Sequence, residues 1–190
     1  MPSGKFVISH LGILGYDRNP VTFFKVISEL IEENAEFKEK INLSFPGQVD
    51  YSVMEIIKSY KLESYVTIPG NLDRKTALQV MKDTNLLLLL LNKQINAKGR
   101  IPGKLFEYLA VKRSILCIGD THGDSAAIIT NSKAGFISEY DDHSNLKSIL
   151  LKEFDNYQND LNGEDIKSEI ESYSIKKLTF KIANLLTEIS

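Results

Sequence analysis

The stretch GRIPGKLFEYLAVKRSILCIGD, residues 99–120, combines a Pro-Gly turn, a short apolar helix and a hydrophobic strand at 114–118. An unbroken aliphatic run at 86–91 precedes it, as expected for a central parallel strand that is buried on both faces. A strand, a turn, a helix N-terminus and a second strand form the arrangement in which open α/β sheets bind ligands. This stretch therefore predicts both a fold class and the place of a ligand site.

Two charged residues stand at the start of the predicted helix, Lys104 and, three residues later, Glu107. The first turn of a helix has unpaired N–H groups and a partial positive charge, which suits an anion such as phosphate. Lys104 would add a full charge, and Glu107 would accept hydrogen bonds from sugar or ribose hydroxyls. A carboxylate among core-facing residues costs free energy unless something pairs with it, which favours a bound partner for Glu107. The alternative is that Glu107 simply faces solvent.

The remaining sequence alternates between strand and helix patterns. The predicted strands cover residues 5–11, 41–45, 65–68, 86–91, 114–118 and 134–137. The predicted helices outside the opening stretch cover 19–34, 51–60, 73–82, 125–130, 141–155 and the C-terminal end. Asn19 and Asp73 are the expected N-caps of two of these helices.

Strand–helix alternation with short connections is typical of a three-layer α/β sandwich. We therefore expect a Rossmann-like fold with a parallel sheet of about six strands, right-handed crossovers and additional C-terminal helices. Residues 1–190 are expected to form a single domain, with residues 156–190 as a helical C-terminal extension.

Composition limits the classes of function. The 23 basic and 25 acidic residues give a net charge of −2 without a basic stripe, so we expect no nucleic-acid partner. The single cysteine, Cys117, lies in an apolar strand and is expected to be a buried, unreactive thiol. No signal peptide is evident, and the longest apolar run is far shorter than the roughly 20 residues that span a bilayer. These features predict a cytoplasmic protein without a transmembrane segment, and the abrupt start of strand material indicates a domain cut from a longer protein.

Several motifs of other α/β enzymes are missing from the sequence. There is no G-x-G-x-x-G after the first strand, no Walker lysine loop and no G-x-S-x-G. The three histidines, His10, His122 and His143, are too scattered to indicate a metal site. Glycine-containing loops at 12–19, 69–72, 93–104 and 119–124 are expected to meet at one edge of the sheet and could hold an anion. Turns of any α/β protein are rich in glycine, however, so spacing alone leaves both interpretations open.

Residues 102–110, PGKLFEYLA, are followed by SIL at 114–116. This combination resembles the C-terminal, nucleotide-sugar-binding domain of GT-B-fold glycosyltransferases, in the large retaining group often called family 4. Gly12 followed six positions later by Arg18, in Arg18-Asn19-Pro20, is a second similarity, since the family has a glycine after the first strand and a basic residue at that spacing. The resemblance covers nearly the whole chain.

The resemblance implies a role for each matching residue. The implied contacts of the donor diphosphate are Gly12, Arg18, Lys104 and the N–H groups near Leu105. Glu107 would accept hydrogen bonds from the ribose hydroxyls. The loop implied to flank the base consists of Gly70, Asn71 and Leu72. No metal or cofactor is implied, and a nucleoside-diphosphate sugar would be the donor substrate.

The implied activity is transfer of a hexose from that donor to an acceptor hydroxyl with retention of configuration, as in polysaccharide biosynthesis. The N-terminal acceptor domain of the family has no counterpart in these 190 residues, so the chain alone is expected to be inactive. Its expected partner is its own N-terminal domain or another subunit, and the full-length enzyme is expected in the cytoplasm or peripheral to a membrane.

The sequence departs from the family at two positions. A family glutamate eight residues before the helix glutamate is Gly99 here, and a family cation directly after the first glycine is Ile13. Three other functions are open besides the implied transfer. One is a nucleotide-sugar epimerase of the same fold, one is a non-catalytic nucleotide-sugar-binding subunit, which Gly99 favours, and one is a structural domain without nucleotide affinity.

Overall fold

A computed structural model describes residues 4–94, 97–161, 173 and 175–189. Six strands form one sheet in the order β3-β2-β1-β4-β5-β6, and every neighbouring pair is parallel. The strands are β1 (Phe6–Ser9), β2 (Ile41–Ser44), β3 (Val66–Thr67), β4 (Leu86–Leu90), β5 (Ser114–Ile118) and β6 (Gly135–Ser138). The predicted α/β class, the parallel sheet and the number of strands are confirmed.

Eight α-helices accompany the sheet in the described residues. They are α1 (Val21–Glu33), α2 (Ala35–Lys40), α3 (Tyr51–Ser59), α4 (Arg74–Asp83), α5 (Lys104–Val111), α6 (Asp124–Asn131), α7 (His143–Gln158) and α8 (Ile175–Ile189). None of the helices in these residues has the length and apolar character needed to cross a membrane. Helix α8 confirms that the C-terminal region contains a helix, whereas residues 162–172, 174 and 190 of the predicted extension lie outside the described residues.

Strand β4 places its aliphatic side chains alternately on the two faces of the sheet. Leu86, Leu88 and Leu90 belong to the apolar cluster beneath α1, α3 and α7, and Leu87 and Leu89 belong to the cluster that includes residues of α5 and α6. All five leucines are buried, as expected for a central parallel strand with helices on both sides. Cys117 of β5 lies in the second cluster, and burial raises the pKa of its thiol to about 12. The thiol is therefore protonated at neutral pH.

The order of strands reverses direction at β1. Strand β1 pairs with β2 on one side, with Phe6 opposite Ile41, and with β4 on the other, with Ile8 opposite Leu86. Connections therefore leave β1 and β4 toward opposite halves of the sheet, which opens a crevice beyond their carboxyl ends. The fold alone thus identifies the edge at which a ligand is expected.

Two local predictions about helices were incomplete or wrong. The short helix α2 was missed because four of its six residues are charged and only Phe37 is buried. Asn19 is not the N-cap of α1: the helix begins at Val21, Pro20 occupies the cap position, and the Oδ1 atom of Asn19 is buried without a hydrogen-bond partner in the described residues. Pro20 fixes its own φ and takes the cap position, so Asn19 lies one residue farther from the helix than a cap does. The Asp73 cap of α4 is confirmed, because its side chain accepts from Thr76 N.

Candidate functional site

The loops after β1, β2 and β3 meet through backbone contacts at the carboxyl edge of the sheet. Gly12 N donates to Pro46 O at 2.8 Å, and Gly47 N donates to Gly70 O at 2.8 Å. Gly47 has a φ of +128°, and a Cβ atom there would overlap the carbonyl group of Gly12. The two predicted site residues, Gly12 and Gly70, are therefore brought together by Gly47. Gly47 follows the predicted strand at 41–45, and the sequence did not indicate that it contacts both loops.

Lys104 reaches across from α5 to the Gly12 loop. Its Nζ atom donates to Leu11 O at 2.9 Å, and a Cβ atom on Gly12 would lie 3.3 Å from Nζ. Gly12 itself is exposed and has a φ of +108°, a conformation that favours glycine. The predicted proximity of Gly12 and Lys104 is thus present, and the ammonium group lies directly beside an accessible backbone.

The ammonium group of Lys104 is electrostatically costly where it lies. Burial and the positive charge of Arg18 lower the pKa of Lys104 to about 8, and Glu107 opposes this shift only as the smallest of the three influences. A cation that is half-buried near a second cation destabilises the folded protein unless an anion is supplied. Lys104 therefore combines a lowered pKa with a place beside an accessible glycine backbone, and such perturbed groups are common at functional sites.

Arg18 belongs to a polar network that joins three loops. Its guanidinium group lies 3.3 Å from the carboxylate of Asp17, which also accepts a hydrogen bond from the Asn92 side chain. The hydroxyl of Tyr140, which follows β6, donates to Asn92 O at 2.9 Å. Asp17, Asn92 and Tyr140 were missed in the sequence. The signal available in the sequence was Asn92, a polar residue directly after the aliphatic run at 86–91, which the structure shows to be buried.

His10 is a buried neutral imidazole beneath the same site. Its Nδ1 atom lies 2.9 Å from Leu88 O, and its Nε2 atom lies 3.5 Å from Ile13 O. Burial, together with the charges of Lys104 and Arg18, lowers its pKa to about 3. A neutral imidazole has one N–H group, so the shorter distance assigns it to Nδ1, which donates to Leu88 O. His10 therefore connects β1 to β4.

We expect the buried state of His10 to make the protein sensitive to acid. Unfolded His10 takes up a proton near pH 6.5, but folded His10 does so only near pH 3, so the unfolded state binds more protons between these values. The contribution of His10 should lower the free energy of unfolding by about 1.4 kcal/mol for each pH unit below 6.5. Urea unfolding of the wild type and of His10→Gln between pH 7 and pH 5 measures this contribution. The exposed His122→Gln is the control, and equal pH slopes for wild type and His10→Gln would contradict the expectation.

Helix α5 brings the other predicted residues to the mouth of the crevice. Leu105 is buried, and its amide donates to Pro102 O at 3.0 Å. An anion bound at this amide would therefore share its N–H group with Pro102 O. The amides of Gly103 and Lys104 precede the first intrahelical hydrogen bonds, as at every helix start. The side chain of Glu107 is exposed in the first turn, where a carboxylate is favoured by the helix dipole. Both interpretations of Glu107 are compatible with this position.

The loop predicted to flank a base follows β3. Gly70 has a φ of +77° with open space around its Cβ position, Asn71 is exposed and Leu72 is half-buried. The sheet order places β3 two strands away from β1, on the side opposite to β4. Because Gly70 O accepts from Gly47 N, this loop is joined to the Gly12 loop and lies at the same edge.

The loops after β5 and β6 form a second polar group. One potential ligand atom each from Asp120, His122 and Glu139 lies within 4.8 Å of the others, a set that could hold a metal ion. Glu139 already accepts from the amide and the hydroxyl of Thr121, at 2.9 and 2.6 Å, and Asp120 accepts from His122 N at 2.8 Å. These hydrogen bonds account for the arrangement as a loop structure. The sequence did not indicate this grouping, because Glu139 follows β6 whereas Asp120 and His122 follow β5.

The two departures from the family pattern differ in their surroundings. Ile13 is 61% exposed and leaves its place without a charge. Gly99 lies in a short turn, and a Cβ atom there would be 4.0 Å from Oδ2 of Asp124 at the start of α6. The carboxylate of Asp124 therefore lies near position 99, where the family has glutamate and this chain has glycine.

No protein-family model matches the chain, and no curated protein matches it in sequence. Solved structures are similar to it. Sucrose-phosphate synthase from Thermosynechococcus elongatus is 10% identical with a TM-score of 0.75 over 100% of this chain and 46% of its own. Anabaena HepE, solved in complex with UDP and glucose, is 13% identical with a TM-score of 0.70 over 98% of this chain and 49% of its own. A mutant of S. aureus TarM, in a complex that includes UDP, is 16% identical with a TM-score of 0.68 over 95% of this chain and 35% of its own.

These identities are low, so the similarity is one of fold. The chain spans less than half the length of each of the three proteins, whereas they match nearly all of it. The chain therefore has the fold of one domain of the GT-B glycosyltransferases.

Proposed function

We propose that this chain is the donor-binding domain of a glycosyltransferase, which transfers a sugar from a nucleoside diphosphate to an acceptor hydroxyl with retention of configuration. The observation that carries the proposal is the half-buried ammonium group of Lys104, which lies beside Gly12 and is destabilised by burial and by the charge of Arg18. A diphosphate would offset this cost by supplying negative charge between the two cations.

The proposed diphosphate contacts follow from the geometry of the edge. Gly12 has no side chain, so an anion can reach its backbone. Lys104 has three N–H donors on a flexible side chain, so it can turn toward phosphate from its present bond to Leu11 O. Arg18 would turn part of its guanidinium group from Asp17 toward the ligand, and the amides at the start of α5, near Leu105, would complete the contacts. In transfer, these cations would stabilise the departing diphosphate.

The remaining donor contacts are proposed for the two ends of the nucleoside. Glu107 would accept hydrogen bonds from the ribose hydroxyls, since its carboxylate is exposed in the same helical turn as Lys104. The base would lie against Gly70, Asn71 and Leu72. The complex of HepE with UDP and glucose makes UDP the first nucleotide to test.

The acceptor is proposed to bind elsewhere. Because the chain spans 35–49% of the three proteins compared, we infer that a second domain or a partner subunit supplies the acceptor site, as in a polysaccharide-forming enzyme. The chain alone should then bind donor and show little or no transfer. A non-catalytic nucleotide-sugar-binding subunit is the second candidate, favoured by glycine at position 99. Transfer activity after addition of the complementary domain would distinguish the two.

Titration calorimetry of the chain with UDP, GDP and ADP tests the proposal. Binding of one nucleotide, with loss of affinity on substitution of Lys104, supports a donor site and identifies the base. A folded chain that binds none of the three in the millimolar range would contradict the proposal for the isolated domain.

We expect Glu107→Ala to weaken UDP binding by about 1–3 kcal/mol, because the ribose hydroxyls would lose a charged acceptor. The same substitution should not weaken binding of 2′,3′-dideoxy-UDP, which lacks those hydroxyls. Calorimetry with both nucleotides measures the difference. Glu63→Ala, which removes an exposed glutamate elsewhere, is the control. An equal loss of affinity for both nucleotides would mean that Glu107 does not contact the ribose.

A further inference from the structure

Helix α5 makes hydrogen bonds to both the backbone oxygen and the backbone nitrogen of Leu11, a residue in the loop after β1. Leu11 O accepts a hydrogen bond from Lys104 Nζ at 2.9 Å, and Leu11 N donates to the hydroxyl of Tyr108 at 3.1 Å. Lys104 and Tyr108 are four residues apart, so they lie on the same face of the helix on successive turns. Leu11 directly precedes Gly12, so α5 helps to fix the Gly12 backbone, together with the hydrogen bond from Gly12 N to Pro46 O.

The two hydrogen bonds differ in how easily they can be exchanged. The ammonium group of Lys104 is on a flexible chain, and a bound phosphate would compete with Leu11 O for its protons. Tyr108 is fully buried in the apolar cluster that α5 shares with β4 and β5, so its ring cannot follow a ligand. Burial raises the pKa of its hydroxyl, which therefore remains neutral at physiological pH. The bond to Leu11 N is thus the permanent connection between α5 and the loop.

Loss of this bond would have a defined local effect. Leu11 is only 8% exposed, so its N–H group would be left without a partner and without access to bulk water. An unsatisfied buried donor drives the backbone to move until it finds an acceptor. The residue that would move with it is Gly12, whose φ of +108° and closeness to Lys104 depend on the present position of the loop.

We propose that Tyr108 is a positioning residue for nucleoside-diphosphate binding: its hydroxyl holds Leu11 N, and with it Gly12, at the place where the diphosphate meets Lys104. This inference rests on the proposed function. Lys104 exchanges part of its bonding from Leu11 O to phosphate when the nucleotide binds, and Tyr108 keeps the loop in position during that exchange.

The test compares wild type, Tyr108→Phe and a control, Tyr157→Phe, for binding of UDP and of uridine 5′-monophosphate. Tyr157 packs on Phe6 and Phe154 in the other apolar cluster and has no part in the site. Tyr108→Phe should bind UDP about tenfold more weakly, as expected for one unsatisfied buried donor, and should bind the monophosphate within about threefold of wild type. Tyr157→Phe should leave both affinities unchanged.

The outcomes separate the possible failures. Equal loss of affinity for both nucleotides in Tyr108→Phe would show a merely structural role and overturn the inference. UDP affinity within twofold of wild type would also overturn it. If the wild type binds no nucleotide, the proposed function fails instead.

Amide hydrogen exchange of the wild type provides a second test that does not depend on a variant. The Leu11 N–H group should be protected both without nucleotide and with saturating UDP, because the Tyr108 bond persists in both states. Loss of its protection on UDP binding would overturn the inference.

Discussion

Lys104→Ala is expected to weaken UDP binding by about 2–3 kcal/mol, which corresponds to about 30- to 150-fold in Kd. The substitution removes the cation that lies beside Gly12 and would make a charge-assisted hydrogen bond with the diphosphate. Titration calorimetry at pH 7 measures the change. Lys38→Ala is the matched control, because it removes the same charge from the exposed face of α2, immediately before the amino end of β2.

The stability of Lys104→Ala distinguishes a binding role from a structural one. The pKa of Lys104 is lowered to about 8 in the folded protein, so the unfolded state binds more protons between pH 8 and pH 10.5. The cost of the buried charge is therefore fully present below pH 8 and disappears as the pH rises toward 10.5. Removal of the side chain eliminates that cost together with one hydrogen bond to Leu11 O. The free energy of unfolding at pH 7 should therefore change little, which urea unfolding measures. A large loss of stability with unchanged UDP affinity would assign Lys104 to the fold instead.

Gly47→Ala is expected to have the largest effect on the fold, a loss of about 3 kcal/mol or more in the free energy of unfolding. Its φ of +128° is unfavourable for any side chain, and the added methyl group would overlap the carbonyl of Gly12. Because neither backbone can move without breaking the hydrogen bonds among the three loops, UDP binding should be lost as well. Urea unfolding and calorimetry measure the two effects.

Two other glycines provide graded controls for this substitution. Gly70→Ala adds a methyl group to open space but keeps a φ of +77°, so a cost of about 1–2 kcal/mol is expected. Gly103→Ala places alanine at a φ of −54° with no atom within 4 Å of its Cβ, and its stability should stay within about 0.5 kcal/mol of wild type. If all three substitutions lower the free energy of unfolding equally, overlap of the new methyl group with Gly12 does not explain the effect of Gly47→Ala.

The fold was predictable because its main signals are local. The aliphatic run of β4, the Pro-Gly turn before α5 and the apolar strand β5 each show a period or a boundary within a few residues. Strand–helix alternation then implies a parallel sheet, and parallel strands present their carboxyl ends at one edge. That rule was sufficient to predict that Lys104 and Gly12 would share an edge, although they belong to distant parts of the chain.

The finer structure of the edge was not predictable in the same way. Asp17 and Asn92 are 75 residues apart, and Leu11 and Tyr108 are 97 residues apart. Nothing in the residues next to each of them indicates these pairings. The burial of His10 likewise depends on neighbours that are remote in the sequence, such as Leu88. Local patterns report contacts within a turn or two, and these contacts arise only when separate loops are brought together.

By itself the sequence determined the α/β class, the parallel sheet, and the loops and charges that meet at one edge. The tertiary structure decided what those charges experience: a lysine with a lowered pKa, a neutral buried histidine, and a loop held by a tyrosine from another helix. The reason is physical. Periodicity and turn chemistry act over a few residues, whereas burial and electrostatic interaction depend on all groups that folding brings within a few ångströms.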